Sequence, residues 1–140
     1  MSEGLVVGID LGATNLRAAL GDLEHGIVRV VKERTTSSGS SEDLLNQLIE
    51  IVKRVASEKL GEIEAIGIGS IGPLDVKRGV LVRSANARFR NVPIVERLSR
   101  EFKIPVYMLN DCTTAALGEK VFGAAKKLSN FVYVGIGTGI

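Results

Sequence analysis

Two apolar runs of strand length, Leu5 to Ile9 and Leu16 to Leu20, are separated only by glycine and polar residues. This pattern reads as a hairpin with a polar tip. A dinucleotide-binding unit would place a helix after the first strand and carry the Gly-x-Gly-x-x-Gly spacing. Here the spacing is absent and a second strand follows. The Gly8-Ile9-Asp10-Leu11-Gly12-Ala13-Thr14-Asn15 segment also lacks the Lys of a Walker loop. The chain therefore opens on antiparallel strands, and any phosphate chemistry at its start has to use a strand-to-strand turn.

The rest of the sequence extends this opening into one α/β domain. Ile27 to Lys32 reads as a third antiparallel strand after the Gly21 to Gly26 turn. Thr35 to Ser41 holds six Ser or Thr residues around Gly39, and Ser40 with Asp43 three positions on forms a helix start. Leu44, Leu48, Ile51, Val52 and Val55 recur at helical spacing, with Gly61 placed to close the helix. A strand at Ile63 to Ile68 completes a strand-helix-strand crossover. Val80 to Val82 reads as a short strand. Asn91 is expected to cap a helix with Pro93 in its first turn and Ile94, Val95, Leu98 and Phe102 as its stripe, stopped by Pro105. Val106 to Leu109 is another strand, a third helix runs over roughly Thr113 to Phe122, and Phe131 to Gly135 reads as the last strand.

Composition narrows the class further. The 140 residues, 45% hydrophobic, suffice for one core. Eighteen Lys plus Arg against sixteen Asp plus Glu give a net charge of +2, which does not call for nucleic acid. One cysteine excludes a disulfide framework and multi-cysteine metal sites, and suits a reducing compartment. There is no apolar run of about 18 residues and no signal-peptide pattern before Leu5, so a soluble, cytoplasmic protein with no membrane partner is expected.

Three constellations carry candidate chemistry. In the first turn, glycine allows close backbone approach, free amides and the Thr14 hydroxyl can donate to phosphate oxygens, and Asp10 can hold a magnesium ion through water. The alternative is a tight hairpin with no ligand. Asn110-Asp111 follows an apolar strand at the carboxyl edge of a sheet, where Asp111 either accepts a proton from an attacking hydroxyl or caps the next helix. Ser70-Ile71-Gly72-Pro73-Leu74-Asp75 and Ser84-Ala85-Asn86 are polar turns suited to a polyhydroxyl substrate or to ordinary chain reversal. The closing Gly135-Ile136-Gly137-Thr138-Gly139 offers a second phosphate nest.

In order and spacing these motifs resemble the N-terminal domain of the ROK family, the sugar kinases and sugar-responsive repressors of the actin-like, hexokinase-like superfamily. The resemblance also takes in Asn91-Val92-Pro93-Ile94 and Ala115-Ala116-Leu117-Gly118-Glu119, so it covers essentially the whole chain. It implies a ribonuclease H-like, actin-like ATPase domain: a mixed sheet, first three strands antiparallel, helices on both faces. Residues 1–140 would be the N-terminal lobe of a two-lobed kinase whose C-terminal lobe lies outside this sequence. By this resemblance, Asp10, Gly12, Ala13, Thr14 and Asn15 face the ATP phosphates and Mg2+, with Asp10 holding the metal through water. Gly137, Thr138 and Gly139 form the second phosphate turn. Gly72, Asn86, Asn110 and Asp111 hold the sugar, and Asp111 is the base. Ala13 and Asn15 stand where Gly and Lys are common in the family, and Phe89 where Trp is frequent.

The activity implied is transfer of the ATP terminal phosphoryl group to a hexose hydroxyl, with glucose leading and N-acetylated aminosugars as an alternative. The family's zinc motif of one His and three Cys has no ligands in this chain. The resemblance leaves room for a homodimer of the full-length protein. A sugar-binding regulator without kinase activity is the rival reading. Only four residues precede Leu5, too few for the winged helix that repressors place there, and this favours the kinase.

Overall fold

The computed structural model describes residues 4–84 and 88–136. The opening hairpin forms as expected. Strand β1 (Leu5–Leu11) pairs antiparallel with β2 (Asn15–Asp22), with Leu11 opposite Leu16 and Asp10 opposite Arg17. Strand β3 (Gly26–Arg34) pairs antiparallel with β2 and forms one edge. Alternation decides which residues face inward: Val7, Ile9 and Leu11 are buried, whereas Val6, Gly8 and Asp10 point to the other face.

Helix α1 (Ser41–Ala56) begins at Ser40, whose Oγ accepts the Asp43 amide at 3.3 Å. Its apolar stripe, including Leu44, Leu48, Ile51, Val52 and Val55, lies on the inner face of the sheet. The helix is closed by Ser57 (φ 49°), whose amide bonds to the Lys53 carbonyl, and not by Gly61. Gly61 lies within a 3-10 turn, Ser57–Glu62, that buries no residue, because the apolar stripe has run out.

Strand β4 (Ile63–Ser70) then enters beside β1 and parallel to it, which completes the crossover. Three short strands, β5 (Leu74–Asp75), β6 (Val80–Arg83) and β7 (Arg90–Val92), make a small antiparallel sheet. Val92 is fully buried opposite Leu81, and this pairing draws residues 90–92 into the sheet. Asn91 is therefore a strand residue with φ 50°, not a helix cap. Helix α2 (Ile94–Phe102) starts after Pro93, which serves as N-cap without a side-chain bond.

Strand β8 (Val106–Asn110) pairs parallel with β4, and the main sheet has the order β3-β2-β1-β4-β8. Helix α3 (Asp111–Val121) follows directly, two residues earlier than expected. It lies on the face opposite α1: a Cβ built on Gly69, an outer-face residue, would meet the Thr114 side chain at 3.1 Å. Helices thus stand on both faces of a mixed sheet. The segment Phe131–Gly135 keeps its apolar character but forms no strand. It pairs with neither edge of the sheet among the described residues, and Val132 is 87% exposed. No helix in the described residues is long and apolar enough to cross a membrane.

Candidate active site

The three parallel strands end on one row. Leu11 of β1 is level with Ser70 of β4, and Ser70 with Asn110 of β8. Just past that row the chain turns at Gly12, loops through Gly72 and enters α3 at Asp111. Motifs separated by 60 and 39 residues in sequence are thereby neighbours at the carboxyl edge, the ligand-facing side of open α/β sheets.

The first turn is closed by the Gly12 amide donating to the Asn15 carbonyl at 2.9 Å. Only glycine fits there, since a Cβ on Gly12 would lie 2.9 Å from that carbonyl oxygen. Ala13 and Thr14 are exposed, and their amides donate to no protein group among the described residues. Asn15 contributes its carbonyl to the turn as the first residue of β2. Asp10 projects from the outer face with its Oδ2 3.2 Å from Arg17 Nη1, both side chains about half exposed. Such a pair adds little stability and leaves the second carboxylate oxygen free among the described residues. Magnesium retains several waters and needs only one or two carboxylates beside phosphate oxygens, so a half-exposed, singly paired Asp10 fits it.

At the other strand end, the N-cap of α3 is Asn110 and not Asp111. Asn110 Oδ1 accepts the Cys112 amide at 3.1 Å. Asp111 is the first helical residue, half-buried, with Oδ1 accepting the same amide at 2.8 Å. Thr114 Oγ1 donates to the Asn110 carbonyl at 3.0 Å, which secures the first turn. Gly72 lies beside Asn110: a Cβ built on it would be 3.7 Å from Asn110 Nδ2. Asp10 and Asp111 line one cavity of about 350 Å3, with Gly69, Thr114 and Tyr133 on its walls. A second cavity of about 510 Å3 lies beyond the Gly12 turn, bordered by Thr14, Thr35, Ser37, Ser84 and Arg88.

The structure thus brings Asp10, Gly12, Ala13, Thr14 and Asn15 to one edge with Gly72, Asn110 and Asp111. Asn86, Gly137, Thr138 and Gly139 lie outside the described residues. Two contributors escaped the sequence reading. Arg17 faces Asp10 across the hairpin, and counting outward from Leu11 and Leu16 would have found it once the register was known. Thr35 reaches back to the Gly12 turn, and no local pattern signals that contact.

The ROK family model matches residues 6–140. A glucokinase of Pyrobaculum calidifontis is 40% identical over 134 residues, 96% of this chain and 40% of the relative. A xylose repressor of Caldicellulosiruptor bescii is 32% identical over 98% of this chain and 35% of the relative. Among solved structures, a ROK family glucokinase from Streptomyces griseus in complex with glucose and AMPPNP aligns with TM-score 0.78 and 30% identity, covering 89% of this chain and 38% of that one. The chain spans about two fifths of the length of the relatives it matches. The match runs from the first strand through the carboxyl-edge motifs to the final residue, and the mixed sheet is that of the actin-like ATPase fold, so the chain belongs to the ROK family.

Proposed function

We propose that this chain is the N-terminal lobe of an ATP-dependent sugar kinase that phosphorylates a hexose hydroxyl, with glucose the leading substrate. The observation that carries the reading is the shared cavity of Asp10 and Asp111 at the sheet edge that also bears a turn whose Ala13 and Thr14 amides have no partner among the described residues. Glucose and an ATP analogue bound together on a structural neighbour support both substrates. The remaining nucleotide and sugar contacts, with the second phosphate turn at Gly137, Thr138 and Gly139, would come with a second lobe, and the 140 residues alone are expected to have little or no turnover.

In this reading Asp111 is the general base. One carboxylate oxygen is held by the Cys112 amide, and the other is left to take the proton from the sugar hydroxyl as its oxygen attacks the terminal phosphorus and ADP departs. Asn110 uses its carbonyl oxygen as the cap, which leaves its NH2 to donate to a neighbouring sugar hydroxyl beside Gly72. Asn86 would add a further sugar contact. The Ala13 and Thr14 amides and the Thr14 hydroxyl would receive phosphate oxygens. Magnesium, held through water by Asp10, would offset phosphate charge when bound.

The test is ATP-dependent phosphorylation of a panel of hexoses and N-acetylated aminosugars by the full-length protein, with D111N beside it. Asp111→Asn should lower kcat by about 100-fold or more while sugar binding survives. Unchanged turnover in the variant would refute the base. A full-length protein that binds sugar without phosphorylating any would favour the regulatory reading, which the xylose repressor relative supports.

A further inference from the structure

Thr35 belongs to none of the motifs that frame the candidate site, yet it makes two bonds to the first turn. Its Oγ1 donates to the Gly12 carbonyl at 2.8 Å, and its amide donates to the Thr14 carbonyl at 2.9 Å. The residue stands one position past β3, at the start of the polar loop leading to α1, and is half-buried. It therefore grips the turn at both ends from just past β3, 23 residues from Gly12 in sequence.

The consequence follows from the geometry of the peptide unit. In a planar trans peptide the C=O and the following N–H point in opposite directions. Holding the Gly12 carbonyl inward against Thr35 thus aims the Ala13 amide outward, away from the protein. A turn of a half-buried glycine and an exposed alanine, left without such a bond, has several accessible peptide orientations, and not all of them would present that amide to an anion. The Gly12 amide is already committed to the Asn15 carbonyl, so it cannot substitute.

We infer that Thr35 is a positioning residue for the nucleotide site: its hydroxyl fixes the Gly12–Ala13 peptide plane so that the Ala13 amide faces a phosphate oxygen. The inference rests on the kinase reading for its ligand, and on the two bonds alone for its mechanics. Among the described residues Thr35 makes no hydrogen bond to Gly72, Asn110 or Asp111, so its effect is expected to fall on the nucleotide and not on the sugar.

Thr35→Val keeps the branched shape and the backbone amide but removes the hydroxyl, and Thr35→Ser restores it. In the full-length protein, T35V is expected to raise the KM for ATP by about 5-fold or more, the equivalent of one hydrogen bond. The KM for sugar should stay within about 2-fold of wild type, and T35S should return the ATP value. Amide exchange read by NMR on protein without nucleotide supplies a measurement independent of activity: Ala13 should change its chemical shift and exchange rate in T35V and recover in T35S. Equal rises in both KM values, or no rescue by serine, would overturn the inference. If the protein phosphorylates no sugar, the kinase reading fails by itself, and an unchanged Ala13 amide in T35V would then still refute the positioning role.

Discussion

Asn110 is given two tasks by one side chain, and they can be separated. Its Oδ1 accepts the Cys112 amide at 3.1 Å as the cap of α3, and its NH2 is left toward Gly72. Alanine removes both groups, whereas serine is an equally good N-cap without an NH2. Losing a cap costs about 1 kcal/mol in most helices. Here the cost should fall near the low end, about 0.5–1 kcal/mol, because the Cys112 amide keeps its second acceptor, Asp111 Oδ1, at 2.8 Å. In the full-length protein, N110A should therefore lower hydrogen-exchange protection of the first α3 amides by about 2- to 5-fold, with N110S close to wild type. Both variants should raise the KM for sugar by about 10-fold, the effect of one lost hydrogen bond to substrate. Wild-type sugar affinity in N110S would refute the NH2 as a sugar donor. Equal loss of protection in N110S and N110A would refute the cap.

Two further perturbations test other parts of the structure. Gly12→Ala places a Cβ 2.9 Å from the Asn15 carbonyl oxygen, so the turn must open at an overpacking cost of about 1–3 kcal/mol, and urea melts should show it together with a raised KM for ATP; unchanged melts would mean the turn has room. Glu58 is held down to about 2 by a hydrogen bond from the Ser57 side chain, by its own backbone amide and by Arg29 at 3.1 Å. Folding favours its ionised form, so this stabilisation is present above its ordinary value of 4.5 and is lost as pH falls toward 2. Thermal melts of E58Q against wild type should differ at neutral pH and converge at about pH 2; a pH-independent difference would refute the assignment.

The parts of the fold that could be read from sequence are those written in local periodicity. The hairpin, the Ser40 cap with the α1 stripe, and the apolar runs of β4 and β8 each repeat a single pattern over five or more residues. What escaped is held by distant partners. Strands β5 and β7 are two and three residues long and exist only through their pairing with β6, a pairing that also displaced the expected cap at Asn91. Phe131–Gly135 shows the converse: strand-like residues without a ladder partner among the described residues. Of the candidate residues that the structure brings to one edge, Asp10, Gly12, Gly72 and Asp111 were legible because glycines and acids at strand ends are conspicuous. Arg17 and Thr35 were not, because one depends on register and the other on a contact across β2 and β3. Adjacent residues hid the cap: Asn and Asp are equally good N-caps, and only backbone geometry assigns the role to Asn110.

The location of the candidate site follows from the sheet itself. Strand β1 has an antiparallel neighbour on one side and a parallel one on the other, so at one edge the chain leaves β1 for β2, β4 for the small sheet and β8 for α3. Adjacent strands lie about 4.8 Å apart, so the ends of β1 and β8 are separated by about 10 Å across β4. On the outer side of that edge Asp10 and Asp111 line a cavity of about 350 Å3, the space that the proposed reading gives to a phosphoryl group and a hydroxyl. Gly69 keeps this space usable: it faces α3 on the outer side, and a side chain there would meet Thr114 at 3.1 Å. Thr114 in turn bonds to the Asn110 carbonyl, so displacing α3 would strain the turn that carries Asp111. Gly69, which bears no chemistry, thereby sets how closely α3 approaches the sheet and where Asp111 stands relative to Asp10.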